Sequence, residues 1–146
     1  MCFVCGIENP IGLKLKFYTD DKGRCITRFR PRQEHQGYPG HLHGGLISTL
    51  LDETMGRVLT GQNVWAMTGQ LEVRFRKPVP LDQELTIVGE LIHSRSRVYE
   101  AHGEIRLPDG TVLVEGSGLY IRIPDEVVEK ARSELDFWQV IPDEEG

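Results

Sequence analysis

A chain of 146 residues with a formal net charge of −5 has enough material for one buried core and no cationic excess, which argues against a nucleic-acid partner held through its phosphates. No apolar run is long enough to cross a bilayer, and Met1-Cys2-Phe3-Val4-Cys5-Gly6 lacks the charged and apolar regions of a secretory signal, so a cytoplasmic protein is expected. Three cysteines without an export signal point to reduced thiols rather than a disulfide framework.

Cys2 and Cys5 open the chain in a Cys-x-x-Cys spacing followed by turn residues. Zinc takes about four ligands. Cys25, His35 and His41 are available to complete a set, but nothing in their spacing recommends it, and a plain N-terminal segment without metal is expected. A redox pair would sit at a helix start, and no helical pattern follows. Residues 13–18 and 25–29 alternate apolar and polar around the turn Asp20-Asp21-Lys22-Gly23, which predicts a β-hairpin. Residues 31–42, rich in Pro, Gly, His and Gln, form a polar loop that leads into the next element.

That element is a long helix running from His43-Gly44-Gly45 to a stop at Gly61-Gln62-Asn63. At about 100° per residue, Leu46, Ile47, Leu50, Leu51 and Val58 share one half, and Gly45, Ser48, Thr49, Asp52 and Gly56 share the other. The carboxylate of Asp52 therefore lies on a face of small residues, where another backbone or a ligand can come close. The bland alternative is an exposed acid on a surface helix. Residues 65–75, 84–93, 98–107 and 111–123 read as strands, with Asp109-Gly110 as the hairpin turn between the last two. Pro124-Asp125-Glu126 starts a short amphipathic helix over 124–135. One long helix among five or six strands predicts a single α+β domain over residues 1–146, with a curved antiparallel sheet wrapped around the helix. Two such units joined edge to edge would remove two exposed edges, so a homodimer or a dimer of dimers is expected.

The segments Gly40-His41-Leu42-His43-Gly44-Gly45, Leu51-Asp52 and Leu71-Glu72-Val73-Arg74-Phe75-Arg76-Lys77-Pro78, with the Gly110 hairpin, resemble the hotdog-fold acyl-CoA thioesterases. The similarity is to the hydroxybenzoyl-CoA thioesterase superfamily, in particular its phenylacetate-pathway-like branch. Cys5-Gly6 with Asn9-Pro10-Ile11-Gly12-Leu13 also resembles a segment ahead of the first strand in some members. The resemblance implies hydrolysis of an acyl-CoA to a free acid and coenzyme A, with no cofactor beyond the coenzyme A of the substrate. It also implies a site shared between subunits, with Asp52 as general base or nucleophile and Thr68 helping to hold the attacking water.

Thioester hydrolysis needs an activated nucleophile and donors aimed at the developing oxyanion. The helix start at Gly44 and Gly45 offers free N–H groups, a favourable dipole and no obstructing side chain, which makes Gly44 N–H the natural donor. Asp52 lies eight residues further on, roughly 12 Å along the same axis at 1.5 Å per residue, so one helix cannot serve both roles on one carbonyl. Glu53 is the rival acid; it points about 100° away and cannot form a facing pair with Asp52. His43 is read as a cap or loop residue, with a direct catalytic role as the alternative. Relatives often carry an Asn six residues before this His, and here the position is Gly37; His35 or Gln36 is available to polarise the carbonyl instead. The phosphates of coenzyme A call for cations, for which Arg76, Lys77, Arg95 and Arg97 are the candidates. Met55, Trp65 and Met67 are candidates for the acyl pocket, with core packing as the competing reading. Two alternatives remain: a hotdog enoyl hydratase or dehydratase, which would pair a catalytic His with an acid on a different local pattern and would not need Asp52 on a small face, and a non-catalytic acyl-CoA-binding protein.

Overall fold

The computed structural model describes residues 1–135 and 141–142. The expected long helix is α1 (Gly44–Gly61). Around it lie β1 (Tyr18–Thr19), β2 (Cys25–Phe29), β3 (Ala66–Phe75), β4 (Leu85–Arg95), β5 (Val98–Arg106), β6 (Val112–Arg122) and β7 (Ile141–Pro142), and a second helix, α2 (Asp125–Leu135), follows β6. The strands form one sheet in the order β3-β6-β5-β4-β2-β1-β7. Every pairing is antiparallel except the last, in which β7 runs parallel to β1. Helix α1 packs against β2, β3, β4, β5 and β6. Five strands at about 4.8 Å spacing span roughly 20 Å, twice the diameter of a helix, so a sheet touching one helix along all five must curl around it. This is the hotdog arrangement. Among the described residues no helix is long and apolar enough to cross a membrane.

The side of α1 facing the sheet is apolar. Leu50, Leu51 and Met55 are fully buried, and Ile47, Val58 and Leu59 nearly so. Leu46, assigned to the same half from periodicity, is only half-buried. What lets the helix come so close is a row of glycines. Gly89, Gly103 and Gly116 are register partners across β4, β5 and β6. A Cβ at Gly89 would lie 2.9 Å from the backbone oxygen of Thr54, and one at Gly103 would lie 3.0 Å from Met55 Cγ and 3.1 Å from Leu51 Cδ2. The row is a groove cut across the sheet, and the middle of α1 lies in it.

Residues 13–18 depart from the expected strand. Only Tyr18 and Thr19 pair with β2. Lys14 takes a positive φ of 56°, and the N–H groups of Leu13 and Leu15 bond to the carbonyls of Phe3 and Val4 at 2.8 and 2.9 Å. The alternation still records burial, since Leu15 and Phe17 are in the core, but the ladder partner is the N-terminal segment. Neither β7 nor the 3-10 turn at Gln33–His35 has a sequence signal strong enough to anticipate.

Candidate active site

Asp52 projects from the middle of α1 toward the start of β3. Its Oδ1 accepts a hydrogen bond from Thr68 Oγ1 at 2.8 Å and lies 3.1 Å from the Tyr120 hydroxyl, which is also 3.1 Å from the Asp52 carbonyl oxygen. Thr68 and Tyr120 are register partners on β3 and β6, so two adjacent strands present both hydroxyls to the same carboxylate. Tyr120 is 2% exposed; burial, and then the charge of Asp52, push its phenol well above the ordinary tyrosine range, so it remains a donor. Oδ2 has no partner among the described residues. Asp52 lines an open cavity of about 350 Å³ together with Glu53, Gly56, Arg57, Thr60, Ala66, Met67, Thr68 and Tyr120.

Tyr120 was not anticipated. The signal for it is Gly118: a Cβ there would lie 2.5 Å from the Tyr120 ring, so the glycine leaves the space into which the side chain folds. Glu53, the rival acid, is committed elsewhere, since its Oε1 accepts from Arg57 Nε at 3.0 Å and Nη2 at 2.8 Å. Arg57 itself is 2% exposed and lies over the Phe17 ring at 5.1 Å.

At the helix tip His43 is the N-cap, and its Nδ1 accepts the Gly45 N–H at 2.9 Å, which places the ring proton of the neutral imidazole on Nε2. The Gly45 N–H is thereby used, while the Gly44 N–H has no acceptor among the described residues. A Cβ at Gly44 would come no closer than 3.6 Å to Phe75, near the end of β3. His43→Ala is expected to lower stability by about 1 kcal/mol and His43→Asn to recover most of it, because asparagine also caps well; thermal melts of the two variants provide the check.

A model of the family described as the thioesterase superfamily matches residues 39–114, more than half of the chain. The chain belongs to the thioesterase superfamily. This superfamily member is 31% identical over 126 residues to acyl-coenzyme A thioesterase THEM4 of Bos taurus, a match covering 85% of the chain and 52% of the relative. The chain thus spans about half the length of the curated relatives it matches. A crystal structure of a thioesterase superfamily protein superposes with a TM-score of 0.79 at 32% identity, over 82% of this chain and 62% of that one. A hypothetical thioesterase protein of Streptococcus pneumoniae TIGR4, solved with coenzyme A, shares the fold at a TM-score of 0.69 and 22% identity, covering 75% and 85% of the two chains.

The other anticipated residues of this superfamily member are spread over both ends of the sheet. Arg95 and Arg97 flank Ser96 in the β4–β5 turn, and the carbonyl of Arg97 accepts the Arg122 N–H at 2.8 Å, at the end that carries Thr68. Arg76 and Lys77 lie past the opposite end of β3, where Arg76 pairs with Glu115. His35 and Gln36 are engaged within their own loop: His35 Nδ1 accepts the Arg32 N–H at 2.9 Å, its ring packs on Phe29, and Gln36 Oε1 accepts the Gly40 N–H at 3.3 Å. His35 also borders a separate, larger cleft, lined in part by Lys14, Lys16 and Arg30, that shares no lining residue with the Asp52 cavity. The loop presses so closely on His43 that a Cβ at Gly37 would lie 3.2 Å from the His43 Cα, so an asparagine there would require the loop to shift. Of the acyl-pocket candidates, Met67 lines the cavity and Met55 is core. Trp65 is half-buried and not among the described lining residues.

Proposed function

We propose that this chain hydrolyses acyl-coenzyme A thioesters to a free acid and coenzyme A in a site assembled from two copies. The observation that carries the reading is the state of Asp52: two hydroxyl donors fix one of its oxygens, the other has no partner among the described residues, and the cavity it lines opens to solvent. The same helix holds its Gly44 N–H, which has no acceptor among the described residues, roughly 12 Å from that acid, too far for both to serve one carbonyl. A second copy closes the gap. β3 is a ten-residue edge strand. If two such edges pair antiparallel about Leu71, Thr68 of one faces Arg74 of the other, next to Phe75 and the Gly44 tip. The Asp52 of each copy then meets the amide-rich helix start of its twin.

In that arrangement Asp52 is the reacting carboxylate. It either takes a proton from an attacking water or attacks the carbonyl carbon itself, and both routes use the free Oδ2. The C=O electron pair moves onto oxygen beside the Gly44 N–H, where the helix dipole favours the negative charge. Collapse expels the coenzyme A thiolate, which takes up a proton; the free acid is left directly when water attacks, and when Asp52 attacks, a water then hydrolyses the acyl–Asp52 anhydride to the acid and the free carboxylate. The antiparallel pairing also brings Arg95 and Arg97 of one copy toward Arg76 and Lys77 of the other, a cationic rim suited to the coenzyme A phosphates. Similarity to THEM4 supports the acyl-CoA class. In a panel of short, long and aromatic acyl-CoAs, release of free thiol without loss of enoyl absorbance is the expected result. Loss of that absorbance without thiol release would instead support a hydratase, and ligand binding without turnover on any thioester would support a binding protein.

A further inference from the structure

Away from the reacting carboxylate but against the same cavity wall, the N-terminal turn brings two thiols to the side chain of Glu53. Cys2 Sγ, Cys5 Sγ and a Glu53 carboxylate oxygen all lie within 4.8 Å of one another. The turn is tightly built: the Gly6 N–H bonds to the Cys2 carbonyl at 2.9 Å, and a Cβ on Gly6 would lie 2.5 Å from that oxygen. Cys2 Sγ accepts the Val4 N–H at 3.4 Å, and Cys5 Sγ accepts from Arg57 Nη2 at 2.9 Å. These donors orient the two sulfurs, but burial outweighs the Arg57 guanidinium and pushes the Cys5 thiol up to about 12, so a bound ion itself has to displace that proton.

We propose that Cys2, Cys5 and Glu53 bind one thiophilic divalent cation of the zinc class, which fastens the N-terminal turn to helix α1. Three protein ligands and a fourth position open to water suit a tetrahedral ion with sulfur and oxygen donors. On such an ion two thiolates stand roughly 3.8 Å apart, so side-chain rotations that draw the sulfurs in by at most about 1 Å are sufficient. Binding releases both thiol protons to solvent and forms two metal–sulfur bonds and one metal–oxygen bond, with no change of oxidation state. The charges close as well. Three anionic ligands against a doubly charged ion leave one net negative charge, and the buried Arg57, already bonded to Cys5 and Glu53, neutralises it. Without the ion, Glu53 and Arg57 balance each other.

The sequence offered Cys25, His35 and His41 as completing ligands. The third ligand the structure supplies instead is Glu53, on the helix and forty-eight positions beyond Cys5. Cys25 is buried in the core and lies outside the ligand group.

Cobalt(II) gives the test, because thiolate ligation of cobalt produces sulfur-to-metal charge-transfer bands in the near ultraviolet and strong visible bands when the ion is four-coordinate. Titrated with cobalt under reducing conditions, the full chain is expected to show both sets of bands, saturating at one equivalent and bleached by one equivalent of zinc. Cys2→Ser/Cys5→Ser is expected to abolish the charge-transfer bands and weaken binding by about a hundredfold or more, Glu53→Gln to weaken it by about tenfold, and Cys25→Ala to leave the bands in place. Absence of charge-transfer bands from the reduced wild-type chain at stoichiometric cobalt would overturn the proposal whatever the variants do. Persistence of the bands in a double cysteine variant with native circular dichroism would overturn it equally.

Discussion

Asp52→Asn is expected to lower kcat for thioester cleavage by about a thousandfold, the scale of losing a carboxylate that accepts a proton or attacks in the transition state. The substitution is almost isosteric, and its amide oxygen still accepts from Thr68 and Tyr120, so the geometry at Oδ1 survives while the free oxygen is lost to an amide. The melting temperature should therefore move by only a few degrees, which separates chemistry from folding. Tyr120→Phe provides the graded comparison. It keeps the ring in the space left by Gly118 and removes one donor, and about a tenfold loss in kcat with KM little changed is the expected outcome, since Tyr120 acts through Asp52 and not on the substrate. Steady-state thiol release for the three proteins decides the matter. A fully active Asp52→Asn would remove this carboxylate from the reaction.

Gly89→Ala is expected to cost about 1–3 kcal/mol, a large effect for one methyl group. The added carbon would come to 2.9 Å from the Thr54 carbonyl oxygen and 3.1 Å from the Met55 Cα. These are backbone atoms of α1 and cannot rotate away, so helix and sheet must separate. Among the described residues, Gly61→Ala at the end of the same helix meets only the Thr19 hydroxyl at 3.6 Å, and it is expected to be neutral or to stabilise by about half a kcal/mol through helix propensity. Urea unfolding of the two variants, with unchanged m values, distinguishes close packing from a general intolerance of substitution.

Much of the fold was legible because it rests on short-range periodicity. Ile47, Leu50, Leu51 and Val58 recur at helical spacing and are buried, and the strand windows after residue 65 end within a residue or two of their observed bounds. What was not legible depends on register. Tyr120 reaches Asp52 across a separation of 68 residues, and only the pairing of β3 with β6 puts its hydroxyl beside Thr68. Gly89, Gly103 and Gly116 are plain to see in the chain, yet three isolated glycines become one groove only when their strands align. At residues 13–17 the alternation reports burial but not a ladder, because the N-terminal segment takes the hydrogen bonds that a neighbouring strand would make. The resemblance singles out Asp52 and Thr68, the latter as a holder of the attacking water; that Thr68 instead donates to Asp52 Oδ1, and that His43 engages Gly45, needed the geometry itself.

The two borders of the sheet are unequal. On one side β7 is two residues long and ends in Pro142, whose nitrogen carries no hydrogen to donate; on the other, β3 offers ten residues. If β3 borders join as proposed, a slab sticky along that flank adds one more slab and, among the described residues, has only two strand residues to offer at the other. Growth by that route would then stop at a pair, where a molecule with two receptive flanks would keep polymerising into fibres.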